Sequence, residues 1–237
     1  DRLMLKYYSA WFCPYAHRAT LALRYHKIEH EWIEALGWKS KDTTLDETGR
    51  AKEAYYHWKS PELLEANSSG LVPTLVEKWS NKAITESINC IQYVDELAQA
   101  RGSSAPAPLL PADPAERSRN RLWAERVNKR CCSPYYGVLV RTDDAGRREA
   151  HASLLAGLRE FSAELVAGGG GGPSSNGKHT GLVDLTLLPW AWRFYVLPHY
   201  RGADFDIPKT DDLAPFHAYL EAMLAQPYVQ ETLPDSG

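Results

Sequence analysis

Residues 11–18 read Trp-Phe-Cys-Pro-Tyr-Ala-His-Arg, and this stretch decides how the first part of the chain folds. The preceding run Leu3–Tyr8 is short, apolar and rich in β-forming residues, which predicts a buried strand. Pro14 then opens a segment rich in Ala, Leu and Arg, which predicts a helix over Pro14–His26 with proline in its first turn. We therefore expect Cys13 at the point where a strand ends and a helix begins.

The elements that follow predict a small mixed sheet with helices on its faces. Strands are expected at Glu29–Ala35, Pro73–Glu77 and Lys82–Thr85, and Ser87–Ala100 has the single apolar face of a helix. Residues 37–60 have no clean period. The first strand, helix and strand form a parallel unit that needs a crossover, whereas the later two strands form an antiparallel hairpin.

The second half of the chain has the pattern of a helical domain. The stretch Gly102–Pro114 is rich in Pro, Ala and Ser, a composition typical of linkers. Beyond it, apolar periodicity predicts helices at Ala115–Lys129, Arg148–Val166, Leu182–Val196 and Leu213–Ala225. A chain of 237 residues is long enough for two domains of this kind.

Composition excludes several classes of protein. Hydrophobic residues make up 44% and charged residues 24%, as in ordinary globular domains, and the formal net charge of −3 gives no basic surplus for nucleic acid. The sequence has no apolar run of the roughly 18 residues that a membrane span needs. Its opening residues lack a charged region followed by an apolar one, so we expect no secretion signal. These observations favour a cytoplasmic protein that binds neither nucleic acid nor membranes.

The cysteines indicate neither a metal site nor a disulfide. Cys13, Cys90, Cys131 and Cys132 are not spaced as paired C-x-x-C zinc ligands, and a bond between adjacent cysteines is strained. The H-x-x-E-H pattern of residues 26–30 crosses from a predicted helix into a predicted strand, so its two histidines would not share a helical face. We expect free thiols and no bound metal.

Cys13 is the strongest candidate for chemistry. The N–H groups and the dipole of a helix N-terminus favour an anion, and they can lower a cysteine pKa from about 8.5 into a range of roughly 3.5–7.5. Position 16 is alanine, so the C-x-x-C pair of a dithiol oxidoreductase is absent. The predicted chemistry is that of a monothiol, whose mixed disulfide is resolved by an external thiol. The alternative is a buried, inert cysteine.

Three motifs in this order resemble those of the cytosolic glutathione transferases. Strand–CPYA–helix comes first, then Gly-Leu-Val-Pro-Thr-Leu at residues 70–75, then Thr-Glu-Ser at residues 85–87, and a linker and a helical segment follow. Cys13 within CPYA makes the chain similar to the omega class of that family. The resemblance covers nearly the whole chain.

This resemblance implies a fold and a co-substrate. The expected fold is an α/β thioredoxin-like N-terminal domain over residues 1–98, a linker over 99–111 and an all-helical C-terminal domain over 112–237. Glutathione is the expected co-substrate, and family members suggest a homodimer.

The resemblance also implies which residues bind glutathione. Val72-Pro73 resembles the family's cis-proline turn, which would leave the backbone of Val72 free to pair with the cysteinyl part of glutathione as an added strand does. Ser87, at a predicted helix N-terminus, would hold the γ-glutamyl carboxylate, Glu86 would meet its ammonium group, and Lys59 would contact the carboxylate end. The alternatives are an ordinary trans turn and a simple helix cap.

Aromatic residues suggest where a second substrate binds. Rings on predicted helices are most often part of a core, but a cleft between two domains that is lined by such rings would favour flat aromatic or hydrophobic ligands. The sequence places Tyr135 and Tyr136 just after a helix. The candidate cleft residues are Phe12, Tyr15, Trp123, Tyr135, Tyr136 and Trp190.

The preferred hypothesis is a glutathione-dependent thiol transferase or reductase that removes glutathione from proteins through a Cys13 mixed disulfide. The resemblance also implies reduction of dehydroascorbate. One alternative is reductive removal of glutathione from aromatic or quinone adducts, because CPYAHR resembles the CPWAHR pattern of glutathionyl-hydroquinone reductases. The other alternative is a non-catalytic carrier of aromatic ligands.

Overall fold

The computed structural model describes residues 4–40, 47, 55–102, 107–168, 175 and 179–234. Its main sheet has four strands in the order β2-β1-β5-β6. Strand β2 is parallel to β1, with Leu5 opposite His30, whereas β5 is antiparallel to β1 and to β6. The predicted mixed sheet is confirmed, with strand ends shifted by one or two residues. The four strands are β1 (Leu5–Ser9), β2 (His30–Glu34), β5 (Thr74–Glu77) and β6 (Ala83–Ile84).

A second sheet lies in the region where the sequence shows no period. Strands β3 (Leu36–Ser40) and β4 (Tyr55–Lys59) pair antiparallel, with Leu36 opposite Lys59. The two segments are separated along the chain and are joined by backbone hydrogen bonds. Neither follows a clean period in the sequence, so periodicity does not predict that they pair. This ribbon brings Lys59 next to the start of the short helix α2 (Pro61–Ala66), which Ser60 caps.

Two further helices belong to the same half of the chain as the main sheet. Helix α1 (Pro14–Tyr25) follows β1, and α3 (Ser87–Ala100) begins at the predicted residue. The predicted end of the first helix at His26 is its C-cap. Helix α1 packs against α3 on one side, and it also contacts helices of the second half of the chain.

The second half is helical, as predicted, but its helix boundaries differ in places. The helix predicted from Arg148 begins at Asp144 because the side chain of Asp143 caps the N–H of Gly146. Tyr135 and Tyr136 lie within a helix and not after one. The elements are α4 (Pro114–Val127), a π-helical segment (Asn128–Cys132), α5 (Ser133–Val140), α6 (Asp144–Ala167), α7 (Leu182–Ala191), a 3-10 turn (Trp192–Tyr195), α8 (Val196–Arg201), a 3-10 turn (Ala203–Phe205), α9 (Ala214–Leu224) and α10 (Pro227–Gln230).

One continuous core spans both halves. It contains Leu5 and Leu75 from the sheet together with Phe161 and Trp190 from the helices. The described end of the predicted linker is held by hydrogen bonds, since the N–H of Leu109 donates to Asp95 Oδ1 at 2.9 Å. The division into domains at residues 98 and 112 stays a prediction. Among the described residues, no helix is both long and apolar enough to cross a bilayer.

Candidate functional site

Cys13 lies at the N-terminus of α1, where the sequence predicts it. Its backbone is extended (φ −81°, ψ 117°), its N–H donates to the carbonyl of Ala10 at 2.9 Å, and its carbonyl accepts from the N–H of His17 at 3.0 Å. Pro14 fills the first helical position and has no N–H to donate. The half-buried thiol therefore faces the next free N–H groups of the helix, those of Tyr15 and Ala16.

Opposing effects act on the Cys13 thiol. Burial is the largest of them and raises its pKa, whereas hydrogen bonds from Ala16 and Tyr15 and the nearby guanidinium groups of Arg193 and Arg18 lower it. The net direction is upward. This corrects the expectation of a lowered pKa, because the cost of burying a thiolate exceeds the benefit of the helix terminus.

The turn before β5 leaves backbone groups of Val72 without a hydrogen-bond partner in the described part of the chain. The Val72-Pro73 peptide bond is cis, as the sequence predicts. Among the described residues, the N–H and C=O of Val72 have no hydrogen-bond partner. The loop is shaped by Asn67, whose amide donates to Leu71 O at 3.2 Å and to Thr74 Oγ1 at 3.0 Å. Val72 and Cys13 belong to the same small apolar cluster.

The N-terminus of α3 combines a strained residue with a buried hydroxyl. Glu86 is exposed and has a φ of +67°, a left-handed conformation that costs a non-glycine residue energy and is common at functional sites. Ser87 is buried, and its Oγ accepts a hydrogen bond from Arg18 at 3.0 Å. Because Arg18 is the donor there, the hydroxyl hydrogen of Ser87 is left for another acceptor.

Lys59 is tied to the loop that leads to Val72. Its Nζ donates to the carbonyl of Ser69 at 2.9 Å. The next residue, Gly70, has a φ of +59°, and a Cβ there would lie 2.6 Å from Cδ of Lys59. The positive φ favours glycine here, and a larger residue would displace the Lys59 side chain from its contact with Ser69.

Arg18 links the two halves of the chain, and the sequence analysis missed it. This fully buried guanidinium donates to Thr186 O at 3.0 Å and to Asn128 Oδ1 at 2.7 Å, besides Ser87, and it lies 4.2 Å over the ring of Trp190. An arginine in an amphipathic helix resembles a surface residue, so no pattern in the sequence indicates this burial.

Tyr15 and Tyr136 lie near Cys13, and the buried Tyr135 adjoins Tyr136. The ring of Tyr15 is stacked on that of Tyr136, with centroids 6.2 Å apart, and Tyr135 meets Tyr136 edge-on at 5.5 Å. Tyr136 lies near enough to Cys13 that a thiolate there raises its pKa further. Phe12, beside Cys13 in the chain, is half-buried and packs edge-on against Trp11 at 5.7 Å.

Two predicted cleft residues lie elsewhere. Trp190 has no exposed surface and packs edge-on under Tyr15 at 4.7 Å, so it belongs to the core. Trp123 is stacked on Phe161 at 6.3 Å and lines a separate groove of about 900 Å³ between α4, α6 and the predicted linker. Helical periodicity marks both as apolar positions but cannot tell which surface they face.

Arg193 is the second functional candidate that the sequence analysis missed. It lies on the 3-10 turn after α7, and its NH1 donates to Pro189 O at 2.7 Å and to His17 Nδ1 at 3.1 Å. Its charge acts on Cys13, Tyr135 and Tyr136. A single arginine in the otherwise apolar stretch 185–197 is the signal that could have identified it.

The described residues include no group of three or more His, Cys, Asp or Glu side chains arranged for a metal ion. The site therefore consists of a half-buried thiol, backbone groups without a hydrogen-bond partner among the described residues, one buried and one half-buried guanidinium group, and three tyrosine rings. Such an arrangement can carry out thiol–disulfide exchange on a ligand with peptide and anionic groups.

Comparison with known proteins places this site in a family. Residues 12–97 match the model of the glutathione S-transferase N-terminal domain. Over 209 residues the chain is 30% identical to glutathione S-transferase U12 of Arabidopsis thaliana, an alignment that covers 87% of this chain and 72% of that protein.

Solved structures agree on the fold. Glutathione transferase Omega 3C from Trametes versicolor superposes with a TM-score of 0.76 at 24% identity, covering 100% of this chain and 87% of that one. The Tau class glutathione S-transferase of mango, Mangifera indica, superposes with a TM-score of 0.77 at 20% identity, covering 99% and 94%. The fold is therefore the thioredoxin-like N-terminal domain with a mostly helical C-terminal domain, and the chain belongs to the glutathione S-transferase family.

Proposed function

We propose that this protein is a glutathione-dependent thiol transferase or reductase of omega type, with Cys13 as the nucleophile. The observation that carries the proposal is the position of Cys13 at the N-terminus of α1, with the N–H groups of Tyr15 and Ala16 facing its thiol. These groups stabilise the thiolate, which is the reactive form in disulfide exchange.

Glutathione would bind at the end of the sheet where β1 leads to Cys13 and Val72 precedes β5. The unpaired backbone groups of Val72 would bond to its cysteinyl part, as in an added strand. The free hydroxyl hydrogen of Ser87 and the N-terminus of α3 would hold its γ-glutamyl carboxylate, and Glu86 would meet the ammonium group. Lys59 would reach the other carboxylate. This assignment gives each charged group of the tripeptide an oppositely charged or hydrogen-bonding partner.

The proposed reaction has two exchange steps. The Cys13 thiolate attacks the glutathione sulfur of a mixed disulfide, the old S–S bond breaks, and the released thiolate takes up a proton. A second glutathione thiolate then attacks the Cys13–glutathione disulfide, which forms oxidised glutathione and regenerates the Cys13 thiolate. The substrate mixed disulfide is reduced to a thiol, and one free glutathione is consumed. The glutathionyl group taken from the substrate forms the other half of the oxidised glutathione.

The tyrosine cluster favours a second candidate activity. Tyr15 and Tyr136 have rings near the thiol, and such rings bind flat aromatic groups. The Cys13 thiolate would attack the sulfur of a glutathionyl-aromatic or glutathionyl-quinone adduct and form the Cys13–glutathione disulfide. The carbon–sulfur bond would break, the ring carbon would take up a proton, and a second glutathione would resolve the disulfide as before. Comparing turnover of a glutathionylated peptide with that of a glutathionyl-hydroquinone separates the two substrate classes.

A turnover assay tests the proposal. With a glutathionylated peptide and excess glutathione, we expect steady formation of oxidised glutathione by the natural protein and a loss of at least a thousandfold in the Cys13→Ser variant. Cys131→Ser is the matched control, because Cys131 is buried and the groups that act on it electrostatically, Cys132, Glu160 and Arg130, lie outside the proposed glutathione site. Equal rates for natural protein and Cys13→Ser would contradict the proposal. An absence of turnover, with aromatic ligands still bound, would favour the non-catalytic carrier.

A further inference from the structure

Two hydrogen bonds join Thr232, near the C-terminal end of the described residues, to His17 and then to Arg193. His17 lies one helical turn after Cys13 on the same face of α1, and its ring is buried. Its Nδ1 is 3.1 Å from NH1 of Arg193, and its Nε2 is 2.8 Å from Oγ1 of Thr232. Thr232 follows α10, so these hydrogen bonds join α1, the 3-10 turn after α7 and the segment after α10, which are far apart in sequence.

The direction of each of these hydrogen bonds is determined by chemistry. A guanidinium group has donors only, so Nδ1 of His17 must accept from Arg193. The Oγ1 of Thr232 is 2.7 Å from the carbonyl of Val229, which can only accept, so the hydroxyl hydrogen of Thr232 is used there. Oγ1 must then accept from Nε2–H of His17. His17 is therefore neutral and held in one tautomer, and burial and the charge of Arg193 lower its pKa to about 3.

Arg193 is fixed by several contacts at once. Besides His17 it donates to the carbonyl of Pro189, and its guanidinium lies 4.6 Å over the ring of Trp192. A groove of about 260 Å³ is bordered jointly by Ala10, His17, Arg193 and Thr232, and Ala10 accepts the hydrogen bond from the N–H of Cys13. Because His17 lies one turn after Cys13 on the same face of α1, its hydrogen bond holds the Arg193 guanidinium on that face, and the charge of Arg193 acts on Cys13.

We propose that His17, anchored by Thr232, is a positioning residue that holds the guanidinium of Arg193 beside the thiol of Cys13. The inference rests on the proposed function, since the position of the charge matters for activity only if Cys13 reacts as a thiolate. It gives the segment after α10 a role in the reactivity of a cysteine more than 200 positions earlier in the chain.

The other groups that face Cys13 would not mask this effect. Arg18 is the second cation near the thiol, but it donates to Ser87, Asn128 and Thr186, whereas the ring of His17 bonds to Arg193 and Thr232. The tyrosines are neutral at pH 7 because burial raises their pKa values. The titratable and charged groups that interact with Cys13 are Tyr7, Tyr15, Tyr136, Arg18 and Arg193.

The test measures the rate at which iodoacetamide alkylates Cys13 of the full chain as a function of pH, with peptide mapping to separate Cys13 from the other thiols. Two variants of His17 separate its hydrogen bond to Arg193 from its hydrogen bond to Thr232. In His17→Asn, Oδ1 occupies the place of Nδ1 and can still accept from Arg193. In His17→Gln, the amide occupies the place of Nε2 and can still donate to Thr232, but the acceptor for Arg193 is lost.

We expect His17→Gln to raise the apparent pKa of Cys13 by roughly 1 and to reduce alkylation at pH 7 by about threefold to tenfold. His17→Asn should recover most of the natural rate. Arg193→Met should show at least the effect of His17→Gln, and adding His17→Gln to it should change nothing further. Circular dichroism and thermal unfolding of each variant confirm that the chain is folded.

A purely structural role for His17 predicts a different pattern. If His17→Asn and His17→Gln change the pKa of Cys13 equally, or if His17→Gln still acts when Arg193 is replaced by Met, the inference is wrong. An unchanged pKa in His17→Gln would also overturn it. The alkylation assay needs no glutathione, so failure of this inference is distinguishable from failure of the proposed function, which appears as absent turnover by the natural protein.

Discussion

Cys13 lies between two walls of different chemistry. The first wall, formed by Lys59, Val72, Glu86 and Ser87, offers backbone groups, a hydroxyl and charged side chains. The second wall, formed by Tyr135 and Tyr136 of α5 and Arg193 of the 3-10 turn after α7, has aromatic rings and one half-buried cation. In the proposed function, the first wall binds the small charged peptide and the second binds an apolar or aromatic group, so the two reactants approach the thiol from opposite sides.

The largest effect that we expect is the pH dependence of the rate at which Cys13 is alkylated. Burial raises the pKa of Cys13, so the thiolate is a minor species at neutral pH, and its fraction grows about tenfold for each pH unit below that pKa. We expect the alkylation rate of the protein alone to increase steadily with pH and to continue rising above pH 8.5. A rate that levels off near pH 7 would mean that the helix terminus and the guanidinium groups outweigh burial.

The next effect concerns the first wall alone. Ser87→Ala removes the hydroxyl that would bind the γ-glutamyl carboxylate and leaves NH1 of Arg18 without its acceptor, which costs roughly 1–3 kcal/mol. Calorimetry should show glutathione binding weakened by about tenfold or more. Binding of an aromatic ligand that lacks glutathione should change little.

Ser80→Ala is the matched control for this prediction, because Ser80 is exposed on the turn between β5 and β6. Weakening of glutathione binding by both variants to the same extent would contradict the assignment of Ser87. Equal weakening of glutathione and aromatic ligands by Ser87→Ala would contradict the separation of the two walls.

The smallest effect concerns the second wall. Tyr136→Leu removes a ring that stacks on Tyr15, an interaction of about 0.5–1.5 kcal/mol. The KM for an aromatic co-substrate should rise about threefold to tenfold while the KM for glutathione stays constant. Trp123→Leu is the control, since Trp123 lines the separate groove and should change neither constant. A larger effect from Trp123→Leu would transfer the aromatic site to that groove.

The two walls also differ in how far the sequence predicts them. Val72, Ser87 and Cys13 follow from local signals, namely a proline after Val72 and helices that begin at Ser87 and Pro14, and the structure has these local features at the predicted residues. Local chemistry suffices there because turns and helix ends are determined by a few neighbouring residues.

The second wall depends on contacts between distant segments. Arg193 meets His17 across more than 170 positions, and Trp190 is buried because Tyr15 and Arg18 cover it. Periodicity identifies such residues as apolar or polar but contains no information on which partner they meet. The ribbon of β3 and β4 escaped prediction for the same reason, since its two strands are separated along the chain.

The most direct test of the central claim is intact mass after brief incubation with oxidised glutathione, followed by peptide mapping. Cys90, Cys131 and Cys132 are buried, so they serve as internal controls within the same chain. We predict a gain of one glutathionyl group on Cys13 in the natural protein and none in Cys13→Ser. A natural protein that binds glutathione reversibly but gains no adduct at Cys13, or an adduct that maps to another cysteine, would contradict the account.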